Sequence, residues 1–123
     1  MYNHKEIEKK WQNKWKDSSF SQKKTSGEKF YSLTMFSYPS GSKLHIGHWY
    51  NYGPADTHCR YLKMNGYNVF QPQGFDAFGL PAENYAIENG VPPAESTTAN
   101  ISKMKKQLQR IGAMFDWSNE LNT

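Results

Sequence analysis

An α/β fold built on parallel strands is what this sequence predicts, and three observations predict it. A β-favouring run from Lys29 to Phe36 is followed by a helical pattern, and then by a second apolar run from Tyr67 to Gln71. Strand, helix, strand with a connection of about thirty residues is a βαβ unit, and such units are parallel and right-handed. Parallel strands are normally buried on both faces of a sheet with several strands, yet only two are evident here. The chain therefore reads as the first part of a larger α/β domain, and its last residues, 117 to 123, carry no sign of a natural stop.

Each element has its own signal. Over residues 4 to 16, Ile7, Trp11 and Trp15 recur every four residues among Lys, Glu and Gln, which predicts an amphipathic helix docking one stripe. Ser18 to Gly27 is rich in Ser and Lys and reads as an exposed connection. In the first strand Tyr31, Leu33 and Met35 alternate with Phe30, Ser32, Thr34 and Phe36, and Pro39, Ser40 and Gly41 end it. The next helix puts Tyr52, Ala55, Cys59 and Leu62 on one face and stops at Gly66. Pro54 lies inside it, where a proline costs about 3 kcal/mol, so a kink or a later start is expected. Pro72 and Gly74 close the second strand, and a last helix runs from about Thr97 to Met114 on a stripe of Ile101, Met104, Leu108 and Ile111.

Composition narrows the functional classes. The 123 residues are 37% hydrophobic and 21% charged, an ordinary globular mixture. No apolar run approaches the roughly 20 residues of a membrane span, and the start MYNHKEIEKKW lacks the features of a secretory signal. A single cysteine, Cys59, cannot form an internal disulfide, so a cytoplasmic protein is expected. The net charge of +4 is uneven: residues 1 to 30 hold eight Lys against four acids, and residues 31 to 99 hold three Lys or Arg against five acids. The Lys-rich start reads as a solvated helix face before it reads as a phosphate-binding patch.

The stretch PSGSKLHIGHWYNY, residues 39 to 52, sets His45 and His48 around Gly47 directly after a strand. At the carboxyl end of a parallel strand, a turn that opens a helix offers N–H groups and a partial positive charge to phosphate. Two imidazoles add side-chain donors that can follow charge developing on phosphorus, and Gly47 lets a flat ring approach the backbone. The plain alternative is a pair of solvated polar residues on a turn. Zinc is a weaker rival, since only His58 and Cys59 stand near and neither gives a recognised spacing. A second cluster, Gln73 to Asn84, follows the second strand and so lies at the same sheet edge. Its Asp76 cannot be there to hold phosphate, because like charges repel, and is suited to a cationic group such as an amine. An Asp that merely caps a turn is the alternative.

Together the two segments resemble the amino-terminal catalytic segment of the class I aminoacyl-tRNA synthetases, and among them the leucyl-tRNA synthetases. Met35 to Gly41 and then Leu44-His45-Ile46-Gly47-His48 match the signature through the HIGH motif, with Tyr38, Pro39, Ser40 and Gly41 leading into it. Phe75-Asp76-Ala77-Phe78-Gly79-Leu80-Pro81-Ala82-Glu83 matches the second block, with Phe75 where many members have Trp. The resemblance runs nearly end to end, from the Trp-rich first helix to Asp116-Trp117-Ser118-Asn119-Glu120-Leu121.

It implies the first half of a Rossmann-like (HUP-type) nucleotide-binding catalytic domain over residues 29 to 123, preceded by a helix and connection over 1 to 28. It also implies a two-step reaction in which leucine and ATP, with Mg2+, give leucyl-adenylate, and the leucyl group then passes to tRNA(Leu). In that pattern His45 and His48 are catalytic and bind the ATP phosphates with Gly47 against the adenine, Asp76 binds the leucine ammonium, and Phe36 and Tyr38 line the amino-acid pocket. A monomer with no resident metal is expected. The Lys-Met-Ser-Lys-Ser loop that supplies lysines to ATP in the family is absent, so these residues hold half of an active site and would have little or no activity alone. Two other functions remain open from the residues: a small nucleotidyltransferase with an H-x-G-H site, and a basic RNA-binding module using Lys9, Lys10 and Lys14.

Overall fold

A computed structural model describes residues 2–16, 18, 26–41 and 43–123. Their order is α1 (His4–Lys16), β1 (Lys29–Tyr31), α2 (Ile46–Met64), β2 (Asn68–Phe70), β3 (Pro72–Phe75), α3 (Leu80–Asn89), α4 (Pro93–Arg110) and β4 (Asp116–Asn122). The expected connection over Ser18 to Gly27 falls mostly outside the described residues.

All pairing is parallel, as the βαβ reading requires. β1 lies beside β2 and β3 beside β4, and a bridge between Ser37 and Phe75 ties the first segment to the end of β3. β2 and β3 are in effect one central strand interrupted at Gln71. The first strand is shorter than its alternating pattern implies, because the ladder lapses after Tyr31. Tyr31 pairs with Phe70 but Ser37 with Phe75, six residues on one side against five on the other. One extra residue is absorbed between them, as in a β-bulge.

The second strand, in contrast, is longer than expected, and Pro72 and Gly74 continue it rather than close it. Proline needs no ladder donor at Pro72, and the neighbouring bond is made instead by Asp116 N–H donating to the Gln71 carbonyl at 2.9 Å. Gly74 is required by its neighbour: a Cβ there would run into the Leu121 carbonyl of β4.

α2 and α4 bury most of the stripes read from the sequence, with adjusted ends, whereas the α1 stripe of Ile7, Trp11 and Trp15 stays partly exposed, because this helix lies on the surface with no buried side chain. On α2, Tyr52, Cys59 and Leu62 are buried; the helix runs unbroken through Pro54, against the expectation of a kink or late start. Tyr50, whose carbonyl Pro54 cannot serve with an N–H, is exposed to water. α4 starts and ends about four residues earlier than expected, and α3 and β4 are additional elements. α3 begins with Pro81 in its first turn and ends at Gly90, with φ 64°, and it lays Ala82 and Ala86 against α4.

One core joins Tyr52, Phe75, Met104, Leu108 and Phe115, and a second joins Cys59, Leu62 and Val69. Each such apolar side chain contributes about 1.5–3 kcal/mol when fully buried. α1 docks through polar and aromatic contacts. The Arg60 guanidinium lies 4.7 Å from the Trp15 ring centre, and Gln12 Nε2 donates to the Arg110 carbonyl at 2.7 Å. Arg60 is held in turn by buried Asp56, which also accepts from Met114 N–H at 2.9 Å.

Replacing Gly74 with Ala forces β4 away from β3. We expect Gly74→Ala to lose about 1–3 kcal/mol in urea unfolding, as for other overpacked sites; an unchanged midpoint would contradict the close approach of Leu121.

Candidate active site

The carboxyl ends of the parallel strands and the start of α2 meet at one edge of the sheet, and the residues singled out from the sequence gather there. His45 is the N-cap of α2, extended at φ −120° and ψ 172°, and its Nδ1 accepts from Gly47 N–H at 3.1 Å. His48 answers from one turn on, its Nδ1 accepting from His45 N–H at 3.1 Å. This is a capping box made of two histidines, each satisfying a backbone donor at the helix start.

The cap decides the tautomer. A nitrogen that accepts from an N–H carries no proton, so each neutral ring bears its proton on Nε2. The two imidazoles, with ring centres 3.9 Å apart, thus present two Nε2–H donors at a helix N-terminus. Gly47 has a role beyond the one assigned from the sequence: a Cβ there would sit 2.9 Å from His45 Cε1 and displace the capping ring.

Tyr52 supports the pair from below. Its ring stacks 6.0 Å from that of His48, and its hydroxyl donates to the Met35 carbonyl at 2.9 Å and contacts Ser37 Oγ at 3.2 Å. Burial lowers the pKa of His48, and the nearby His45 adds to the effect.

On the other side of the turn, Asp76 leaves β3 with its N–H donating to the Ser37 carbonyl at 3.0 Å, which sets it beside Tyr38. A hydrogen bond to Asp76 and then its negative charge hold the Tyr38 phenol above its ordinary pKa. Thr123 Oγ1 donates to Asp76 Oδ1 at 3.1 Å. The Phe36 ring lies over Gly74 in the same region. Pro39 is buried, Ser40 and Gly41 form a bend, Leu44 packs against the core and Ile46 is exposed.

Several contributors escaped the sequence reading: Tyr52, Thr123, and the carboxamides of Asn100 and Gln107, which hold the Pro39 carbonyl and Leu44 N–H from α4. The signal for the last two was a polar residue on an otherwise apolar stripe. A cavity of about 330 Å³ beside the turn is lined by Leu44, His45, His48, Tyr52, Gln107 and Ile111. His58 packs edge-on against Phe30, and Cys59 is buried with Leu62 and Val69, where burial raises the pKa of its thiol.

The family model for "tRNA synthetases class I (M)" matches residues 30–120. The chain belongs to this family. This class I synthetase segment is 61% identical over 120 residues to a leucine–tRNA ligase of Clostridium perfringens (strain 13 / Type A), covering 95% of this chain and 15% of the relative. It is 60% identical over 119 residues to that of Clostridium tetani, with the same shares. The chain thus spans about 15% of the length of the curated relatives it matches.

Among solved structures, the segment is similar along its whole length to an Agrobacterium radiobacter K84 LeuRS in a ternary complex with tRNA and LeuAMS. The TM-score is 0.93 at 43% identity, over 16% of that chain. A Mycobacterium tuberculosis methionyl-tRNA synthetase in complex with methionyl-adenylate is similar over 73% of this chain and 18% of its own, with TM-score 0.70 and 28% identity. The class I Rossmann-like fold is therefore the fold of this segment, and the small-nucleotidyltransferase alternative falls away.

The His48 environment has a consequence for stability. With its folded pKa below the ordinary value of 6.5, His48 resists a proton that the unfolded chain accepts, so stability falls as pH drops from about 6.5 through the folded pKa. We expect His48→Gln, which keeps an acceptor for the cap but does not titrate, to remove this part of the acid slope in denaturant titrations from pH 8 to 5; an identical slope in both proteins would count against it.

Proposed function

We propose that the chain is the HIGH-motif half of the active site of a leucine–tRNA ligase. The observation that carries the reading is the pair of Nε2–H donors built into the start of α2 by the two-histidine cap, with Asp76 and Tyr38 at the same sheet edge. The leucine assignment is supported by relatives near 60% identity named leucine–tRNA ligase, against 28% for the methionyl enzyme.

In the first step a leucine carboxylate oxygen attacks the α-phosphorus of ATP, a new P–O bond forms, and the bond to pyrophosphate breaks. Charge accumulates on the non-bridging and leaving oxygens. His45 and His48 meet it with N–H donors that require no reorganisation, since both rings are already fixed through Nδ1. Gly47 lies against the adenine, Asp76 takes the leucine ammonium, and Phe36 and Tyr38 line the side-chain pocket. Tyr38, kept protonated by Asp76, donates to that carboxylate and steadies it. The leucyl group then passes to the terminal adenosine of tRNA(Leu).

ATP comes as its Mg2+ complex. In this reading the ion is part of the substrate. The catalytic unit begins at residue 29, with residues 1 to 28 as its helix and connection, and works in the cytoplasm as part of a monomeric enzyme.

The test is ATP–pyrophosphate exchange by the full chain carrying this segment. Exchange is expected with leucine; equal exchange with isoleucine or valine would remove the leucine assignment. His45→Asn separates the two roles of this histidine, because Asn still caps a helix but cannot place a donor at Nε2. We expect it to keep stability within about 1 kcal/mol while exchange falls about a hundredfold, the scale of one lost oxyanion donor.

A further inference from the structure

Pro39 and Leu44 bound the loop that delivers the chain to His45, and neither pairs with a strand. Both are held by one helix. Asn100 Nδ2 donates to the Pro39 carbonyl at 2.9 Å within the core, and Leu44 N–H donates to Gln107 Oε1 at 2.9 Å. A carbonyl can only accept and an N–H can only donate, so the orientation of each amide is fixed. Asn100 acts through its NH2 group and Gln107 through its oxygen.

The two carboxamides are seven residues apart on α4, two turns on one face, and thus span about 10.5 Å along the axis. On that face Met104 lies between them and Leu108 just beyond Gln107, both buried in the core with Tyr52 and Phe115. The spacing of the loop ends is therefore set by a rigid helix packed against the ring that supports His48. Leu44 is the last residue before the N-cap, so its anchor fixes where the His45 imidazole starts.

We infer that Gln107 is a positioning residue for adenylate formation: its side-chain oxygen holds Leu44, with Asn100 fixing the far end of the loop, and thereby sets the place of His45. The inference rests on the reading given under the proposed function. It needs no contact between Gln107 and substrate. A displacement of about 1 Å at a catalytic group can cost a hundredfold in rate.

Two variants separate position from packing. Gln107→Leu keeps the shape but removes the acceptor, and Gln107→Glu keeps the acceptor oxygen. In the full chain, leucine-dependent exchange assayed at pH 8 is expected to lose tenfold or more in kcat with Gln107→Leu, with the KM for leucine and the melting temperature little changed. Gln107→Glu is expected to restore most of it. Wild-type kcat in Gln107→Leu, or equal damage from both variants, would overturn the inference. Should the unaltered protein fail to exchange pyrophosphate with any amino acid, the adenylation reading fails instead. Hydrogen exchange at the Leu44 amide then decides the clamp: faster exchange in Gln107→Leu but not in Gln107→Glu supports it, and unchanged protection refutes it.

Discussion

The buried hydroxyl of Tyr52 is the constraint on which the rest of this edge depends. A phenol placed in a core must hydrogen-bond, and Tyr52 does so with the Met35 carbonyl and Ser37 Oγ. That carbonyl is available because the first strand leaves its ladder after Tyr31. The lapse in pairing and the buried tyrosine are thus two sides of one arrangement. The extra residue taken up between Tyr31 and Ser37 then shifts the register by one, so Ser37 faces Phe75 and Tyr38 leaves the sheet beside Asp76. In the unshifted register Tyr38 would fall opposite Ala77, and its side chain would turn to the other face. A single register slip therefore joins the histidine cap to the Tyr38 and Asp76 pair.

The elements that were legible in the sequence are those whose burial is amphipathic. α2 and α4 each bury an apolar stripe at helical spacing, and local pattern is enough to find them; α1 shows the same spacing although its stripe stays partly exposed. β3 and β4 were not legible for the opposite reason. β3 is Pro-Gln-Gly-Phe, whose first and third residues are turn signals, and β4 is Asp-Trp-Ser-Asn-Glu-Leu-Asn, with little β propensity. These two strands are specified by each other: Gly74 admits the Leu121 carbonyl, and Trp117 stacks on Phe75 while Lys105 lies over its ring. Tertiary contact overrides propensity in both. α3 is a different case, because Pro81 in its first turn and Gly90 after its end are local signals. The sequence reading takes Pro81 only as part of the Gln73 to Asn84 cluster and assigns no element as far as Gly90.

The site divides in the same way. Histidines three apart around a glycine at a strand end announce themselves through residue type and position. The side chains that aim them do not, since Gln107 and Asn100 lie some sixty residues away and are ordinary polar residues until the fold brings them to the loop. The tautomer of the two rings is likewise a product of geometry. It follows from which nitrogen meets a backbone N–H, and no spacing in the sequence encodes that.

Why imidazole serves this turn better than a lysine follows from the end of the helix itself. The start of α2 carries partial positive charge, and a fixed cation there faces a like field that costs about 0.3–1 kcal/mol when exposed. A neutral imidazole avoids that repulsion, and burial lowers the pKa of His48 so that it stays neutral. Its acceptor nitrogen quiets one of the helix's unpaired N–H groups, which leaves the other nitrogen as a donor. A lysine has no acceptor and could do only the second of these. The motif thus stabilises the helix start and, in the proposed function, meets an anion with the same two side chains. This is also why His45 and His48 must come three residues apart: at that spacing the N-cap and the third helical residue reach each other's backbone donors.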